Sequence, residues 1–154
     1  MGLKIKTIDR KSEYVVALLK TLLADEYVLS IRTREAYQYI HGSNFVELRK
    51  LFEAQYKSMD IIVVEVSHRV RDLGQNALAT IENSIEATRL GQHNEKLKGQ
   101  HPIIEALLDD HESMIRELTK VSLADEEIDI STAEFTAGLL RQHIEMSRAL
   151  RKWL

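Results

Sequence analysis

Helical spacing gathers candidate ligands along the stretch FEAQYKSMDIIVVEVSHRVRDLG, residues 52–74. Glu53, Asp60, Glu65 and His68 each carry an oxygen or nitrogen that can bind a metal ion. Imidazole mixed with carboxylate is a donor set that suits divalent transition metals. Asp60, Val64 and His68 follow one another at intervals of four, so they share one side of a helix. Val64 puts an isopropyl group in the middle of that side. Glu65 stands one residue off it and reads as solvated. A lone histidine on a helix reads first as a hydrogen-bonded surface or interface residue, and that is the plain reading of His68. The segment has the outline of a metal helix with part of its ligand set missing. A carboxylate-bridged oxidase would need Glu-x-x-His pairs on two helices. Glu65 and His68 make one such pair, but Asp110-His111 and Gln142-His143 lack the spacing for a second.

The elements that must position these groups are helices. One proline and six glycines in 154 residues leave few breakers. A first helix is expected to start near Asp9 or Ser12 and to run to about Ile40. Its apolar stripe is Tyr14, Val15, Leu18, Leu19, Leu22, Leu23, Tyr27 and Leu29. The break HGSNF (41–45) has Gly42 for a left-handed turn and Ser43 or Asn44 to cap the next helix. The second helix carries Phe45, Leu48, Leu51, Phe52, Met59, Ile62, Val63, Val66, Val70 and Leu73 and ends at Gly74. The β-branched run 61–64 favours a strand, but helical periodicity on both sides outweighs it. A short amphipathic helix over 76–87 and a polar stretch over 88–100 follow. His101-Pro102 opens the third long helix, whose stripe includes Ile104, Leu107, Leu108, Met114 and Leu118. After an acidic connection, 124–131, Ser131 or Thr132 opens the fourth, with Glu134 placed to favour its N-terminus. Four long amphipathic helices with a short one in the crossover make an all-α four-helix bundle.

Bulk properties narrow the function. The chain is 44% hydrophobic and 29% charged, enough to bury a core as one domain over 1–154. A net charge of −3 argues against generic nucleic-acid binding by the whole surface. With no cysteine there are no disulfides, thiolate sites or cysteine nucleophiles, which fits a cytoplasmic setting. No signal peptide is expected at the start, and no apolar run approaches the roughly 20 residues of a membrane span, so no membrane partner is expected.

Several segments together resemble the Dps proteins, the miniature ferritins. LLADEYVLSIRT (22–33) is similar to the family's first-helix run, and GSNFVELRKLFEAQY (42–56) to its passage into the second helix. RVRDLG (69–74), IIEALLDDHESMIREL (103–118) and DISTAE (129–134) follow the family in the later helices, and His143 falls on its helix-four histidine. The resemblance implies a ferritin-like bundle with a short extra helix in the crossover between helices two and three. It also implies a homo-oligomeric hollow shell of twelve subunits. Such a shell oxidises iron with peroxide, stores it and protects against oxidative stress. The family's iron site lies between two subunits, and many members bind DNA. No organic cofactor is implied.

Carried over residue by residue, the family's iron ligands fare badly here. The first-helix histidine falls on Tyr37, with Gln38 at the tryptophan that follows it. The second-helix histidine falls on Arg49. The later aspartate and glutamate fall on Val64 and His68. Glu53 alone keeps its chemistry, so Glu53 and His68 are the remnant metal positions. A guanidinium is always charged and repels a cation, and Arg49 is four residues from Glu53, at ion-pair spacing. The expectation is an iron-sequestering shell whose usual ferroxidase centre is lost or weak, with iron as cargo. The alternative is a redox-inactive structural or DNA-associating shell. A relocated site drawn from Asp60, His68 or His41 is a further reading.

Asp129 and Glu134 fall on acidic positions that line the family's iron-entry pore, where a ring of carboxylates concentrates cations. Read without the family, they are ordinary acids near a helix start. Asp125, Glu126 and Glu127 read as a solvated turn, Asp109 and Asp110 as surface residues. Lys4, Lys6, Arg10 and Lys11 form a short basic N-terminal segment (1–11) through which DNA would be bound; Ile5 and Ile8 interleave with them, and packing of the segment on the shell is the other reading.

Overall fold

A computed structural model describes the backbone of residues 2–76, 81–91, 97–124 and 128–154, and the side chains of these from Glu13 onward except Ile81. It contains α1 (Gly2–Tyr39), α2 (Phe45–Asp72), the short α3 (Ile81–Ala87), α4 (Gln100–Leu123) and α5 (Ile130–Arg151). The expected order of long, long, short, long, long is present. α1 begins earlier than Asp9, at Gly2, because no breaker interrupts the chain before it.

Each long helix buries one side. On α2 the buried residues are Leu48, Phe52, Gln55, Met59, Ile62, Val66 and Val70, three or four apart throughout. The β-branched run is therefore helical. Ile62 faces the core at 1% exposure, while Ile61 and Val64 face out at 61% and 52%. The turn before α2 needs Gly42, whose φ is +124°. A Cβ there would also come within 2.5 Å of Gln100 Nε2. Asn44 is the N-cap residue of α2 without a side-chain cap bond. α2 stops as expected at Gly74, with φ +78°. Gly74 N donates to Arg71 O and Gln75 N to Val70 O, the paired bonds of a Schellman ending.

α1 packs on α2, and α4 on α5. Gln55 Nε2 donates to Met146 O and Arg69 to Ser131 Oγ, which joins α2 to α5 in antiparallel sense. The crossover is anchored by buried charge. Asp25, 0% exposed, accepts from Thr88 Oγ1, Arg89 N and Arg89 Nη2 at 2.7, 2.8 and 2.6 Å. Arg89 also meets Glu117 on α4. Arg32 Nη1 donates to both oxygens of Asp110 at 2.9 Å, and its Nη2 to Gly91 O. Asp110 is thus buried and ion-paired, contrary to its reading as a surface residue. Asp109 is exposed, as expected.

The start of α5 differs from expectation. Asp129 is its N-cap, not Ser131 or Thr132. The Asp129 carboxylate accepts from Thr132 N at 3.1 Å and from Thr132 Oγ1. Glu134 therefore lies beyond the first turn, which contains no acid.

Candidate functional site

The turn after α1 lays the first turns of α2 beside the last turns of α1, and this brings Tyr37, Arg49 and Glu53 together. The Arg49 guanidinium lies over the Tyr37 ring, 4.6 Å from its centroid. Tyr37 meets Tyr56 edge-on at 5.7 Å, and Arg34 covers Tyr56 at 4.6 Å. The order across the two helices is cation, ring, ring, cation, an arrangement held by cation–π attraction. Arg49 does not pair with Glu53. Glu53 instead accepts from Lys57 Nζ at 2.7 Å. That hydrogen bond and the carboxylate's charge raise the Lys57 pKa above its ordinary value. Arg49 Nε is buried without a hydrogen-bond partner. Tyr37, Phe45, Val46, Arg49, Lys50 and Glu53 line a cleft of about 240 Å³.

The other positions lie elsewhere. Fifteen residues of helix separate Glu53 from His68, roughly 22 Å of rise, so one chain cannot bring them to the same ion. His68 and Glu65 are exposed. Asp60 is held by α1: Ser30 Oγ donates to it at 2.7 Å, and Arg34 pairs with it. His41 Nδ1 is bonded to Tyr39 O at 3.0 Å. Among the described residues, no three histidines or acids come together as a metal-binding group.

Asp129 and Glu134 are both exposed at the start of α5. The hydrogen bond from the Thr132 side chain is the main cause that lowers the Asp129 pKa, with the Thr132 backbone N–H and Arg69 adding to it. Of the basic segment only the backbone is described, as the first turns of α1; the side chains of Lys4, Lys6, Arg10 and Lys11 lie outside the described residues, as do Asp125, Glu126 and Glu127.

One grouping was not anticipated. Glu26 on α1, His111 on α4 and His143 on α5 are each 0% exposed. His143 Nε2 is bonded to Glu26 Oε1 at 2.5 Å, and His143 Nδ1 to His111 Nδ1 at 2.9 Å. Glu26 Oε2 and His111 Nε2 are buried without a hydrogen-bond partner. Burial, and secondarily the neighbouring His143 imidazole, push the His111 pKa well below the ordinary histidine value of 6.5. The signal was in the register: Glu26 continues the buried series Leu19, Leu22, Leu23, and His143 continues Thr136, Leu139.

Comparison with known proteins matches the architecture. A family model for the ferritin-like domain covers residues 16–154. A low temperature-induced protein of Nostoc is 29% identical over 154 residues, spanning 99% of this chain and 86% of its own length. A DNA protection during starvation protein of Helicobacter pylori is 24% identical over 105 residues, 68% of this chain and 73% of its own. The Dps structure from Thermosynechococcus elongatus superposes with a TM-score of 0.86 at 23% identity, covering 93% of this chain and 91% of that one. With the ferritin-like model spanning nearly all of a bundle built as the Dps proteins are, the chain belongs to the ferritin-like family.

Proposed function

We propose that this protein is a Dps-like shell subunit that sequesters iron, with the intersubunit ferroxidase centre lost. The observation that carries this reading is the Arg49 guanidinium seated on Tyr37, at the two positions where the family resemblance would put imidazoles. A permanent cation there opposes the entry of iron(II). Glu53, the remaining carboxylate, is engaged by Lys57, and Val64 offers no donor. The donor set does not fit an iron(II)-oxidising centre, and no oxidation step is assigned to these residues.

The shell, twelve-membered and cytoplasmic in this reading, rests on the family and on exposed apolar residues of α2. Phe45, Val46, Ile61 and Val64 are 42–61% exposed, and a second subunit would take them out of water. Iron is then cargo, drawn through the acidic groups Asp129 and Glu134 and deposited slowly as mineral on internal carboxylates.

The test is anaerobic iron(II) loading of the purified protein, followed by peroxide and size-exclusion chromatography. Iron co-eluting with a large particle, with oxidation no faster than in buffer, is the expected result. Fast stoichiometric oxidation would sink the lost-centre reading. An iron-free particle of the same mass would favour the redox-inactive shell, and a gel shift with and without residues 1–11 would then test DNA as its partner.

A further inference from the structure

Among the described residues three carboxylates are buried in the bundle, and they are held in two different ways. Asp25 is held by Arg89 and Asp110 by Arg32. Arginine keeps its charge at every physiological pH, so those two pairs do not respond to mild acid. Among the described residues, Glu26 meets no arginine or lysine. It is bonded to His143, which in turn meets His111.

We infer that Glu26, His143 and His111 form a proton-sensitive clasp that holds α1 to α4 and α5, and that mild acid releases. Each of the two contacts needs one proton between its atoms. Two protons fill both contacts when both rings are neutral and Glu26 is a carboxylate. Any further proton must go to His111 Nε2 or Glu26 Oε2, the two buried atoms without a partner. An N–H or O–H formed at either atom would find no acceptor, and the opposing charge in the group is the Glu26 carboxylate itself. The buried residues of α2 are all uncharged, His143 is the one titratable buried residue of α5, and Asp110 beside His111 on α4 is held by Arg32. From α1, Asp25 is committed to Thr88 and Arg89, the residues that follow α3.

Glu26 and His111 bond to opposite edges of the same imidazole ring, so one ion cannot touch both.

The sign follows from burial. His111 binds its proton less readily folded than unfolded, so the unfolded state takes up the proton first. The clasp's contribution is complete above about pH 6.5 and declines as pH falls below that value.

The test is urea unfolding followed by circular dichroism from pH 7.5 to 4.5, on the intact protein and on His111→Gln. The unfolding constant of the intact protein should rise by up to about tenfold per pH unit below 6.5 through this group alone. His111→Gln should remove that share of the dependence; an unchanged dependence overturns the inference. Should His111→Gln fail to fold, hydrogen–deuterium exchange at histidine C2 atoms of the unaltered protein, read by mass spectrometry, decides. His111 should show no inflection before unfolding. An ordinary inflection at His111 overturns the clasp, and so does added zinc that raises the acid stability of the intact protein but not of His111→Gln.

Discussion

Histidine, carboxylate and their replacements gather in two regions of this molecule, and the regions handle charge in opposite ways. On the outer side of α1 and α2, Arg49, Tyr37, Tyr56 and Arg34 alternate cations with rings, and Glu53 is drawn to Lys57. Water and partner chemistry can reach these groups. Inside the bundle, Glu26, His143 and His111 have no contact with solvent. The outer region resembles a metal site in its place on the helices but not in its donors. The inner region holds good donors in a geometry that suits protons. Residue type does not settle the chemistry of a cluster; burial and the nearest charge do.

The inner region should be the more costly to break. Glu26→Ala leaves the buried Nε2–H of His143 without an acceptor, and orphaning a buried donor in this way costs about 1–3 kcal/mol. Urea denaturation at pH 7.5 measures it. A loss below about 1 kcal/mol would mean that water reaches His143, and the contrast between the regions would collapse.

The outer region can be tested by restoring it. The combined change Tyr37→His, Arg49→His, Val64→Asp and His68→Glu returns the family's donors to α1 and α2. Stopped-flow absorbance with iron(II) and peroxide should then show oxidation faster by roughly tenfold or more, a barrier change of about 1.4 kcal/mol. No gain, in a variant that still assembles, would show that more than these donors has been lost.

The cap of α5 gives a smaller effect. Asp129→Ala removes the acceptor for Thr132 N and should cost about 0.5–2 kcal/mol in the same denaturation assay. The folded Asp129 pKa lies below its ordinary value, so this stability is present above about pH 4 and is lost as pH falls through the lowered value. That window lies below the one assigned to His111, and a pH series separates the two. The smallest effect belongs to Lys57→Ala. The ammonium is exposed and its pair with Glu53 is solvated, so no resolvable change in the urea midpoint is expected. A clear loss would show that the outer region also depends on buried charge.

Much of the fold was legible because it is periodic. The stripe of α2, the Gly42 and Gly74 turns and the proline-started α4 are local patterns, and local geometry decides them. The misreadings share a cause. Ser131 and Thr132 are good cap types, but Asp129 already reaches Thr132. The spacing of Arg49 and Glu53 permits a pair, yet the reverse order, acid before base as in Glu53 and Lys57, is the better one on a helix, and Tyr37 on α1 offers Arg49 a ring. Asp109 and Asp110 differ by one position, and the helix register turns one out and the other toward Arg32.

By itself, then, the sequence determined a set of amphipathic helices, their breaks, and a second-helix row in which valine and arginine stand among potential ligands. Those follow from backbone propensity and residue identity. Only the tertiary structure decided which acid would meet arginine and which would meet histidine. Glu26 and His143 are 117 residues apart in the chain, and no spacing rule links them. Packing three helices around one level of the core brings them together, and the low polarity of that core makes their protons matter.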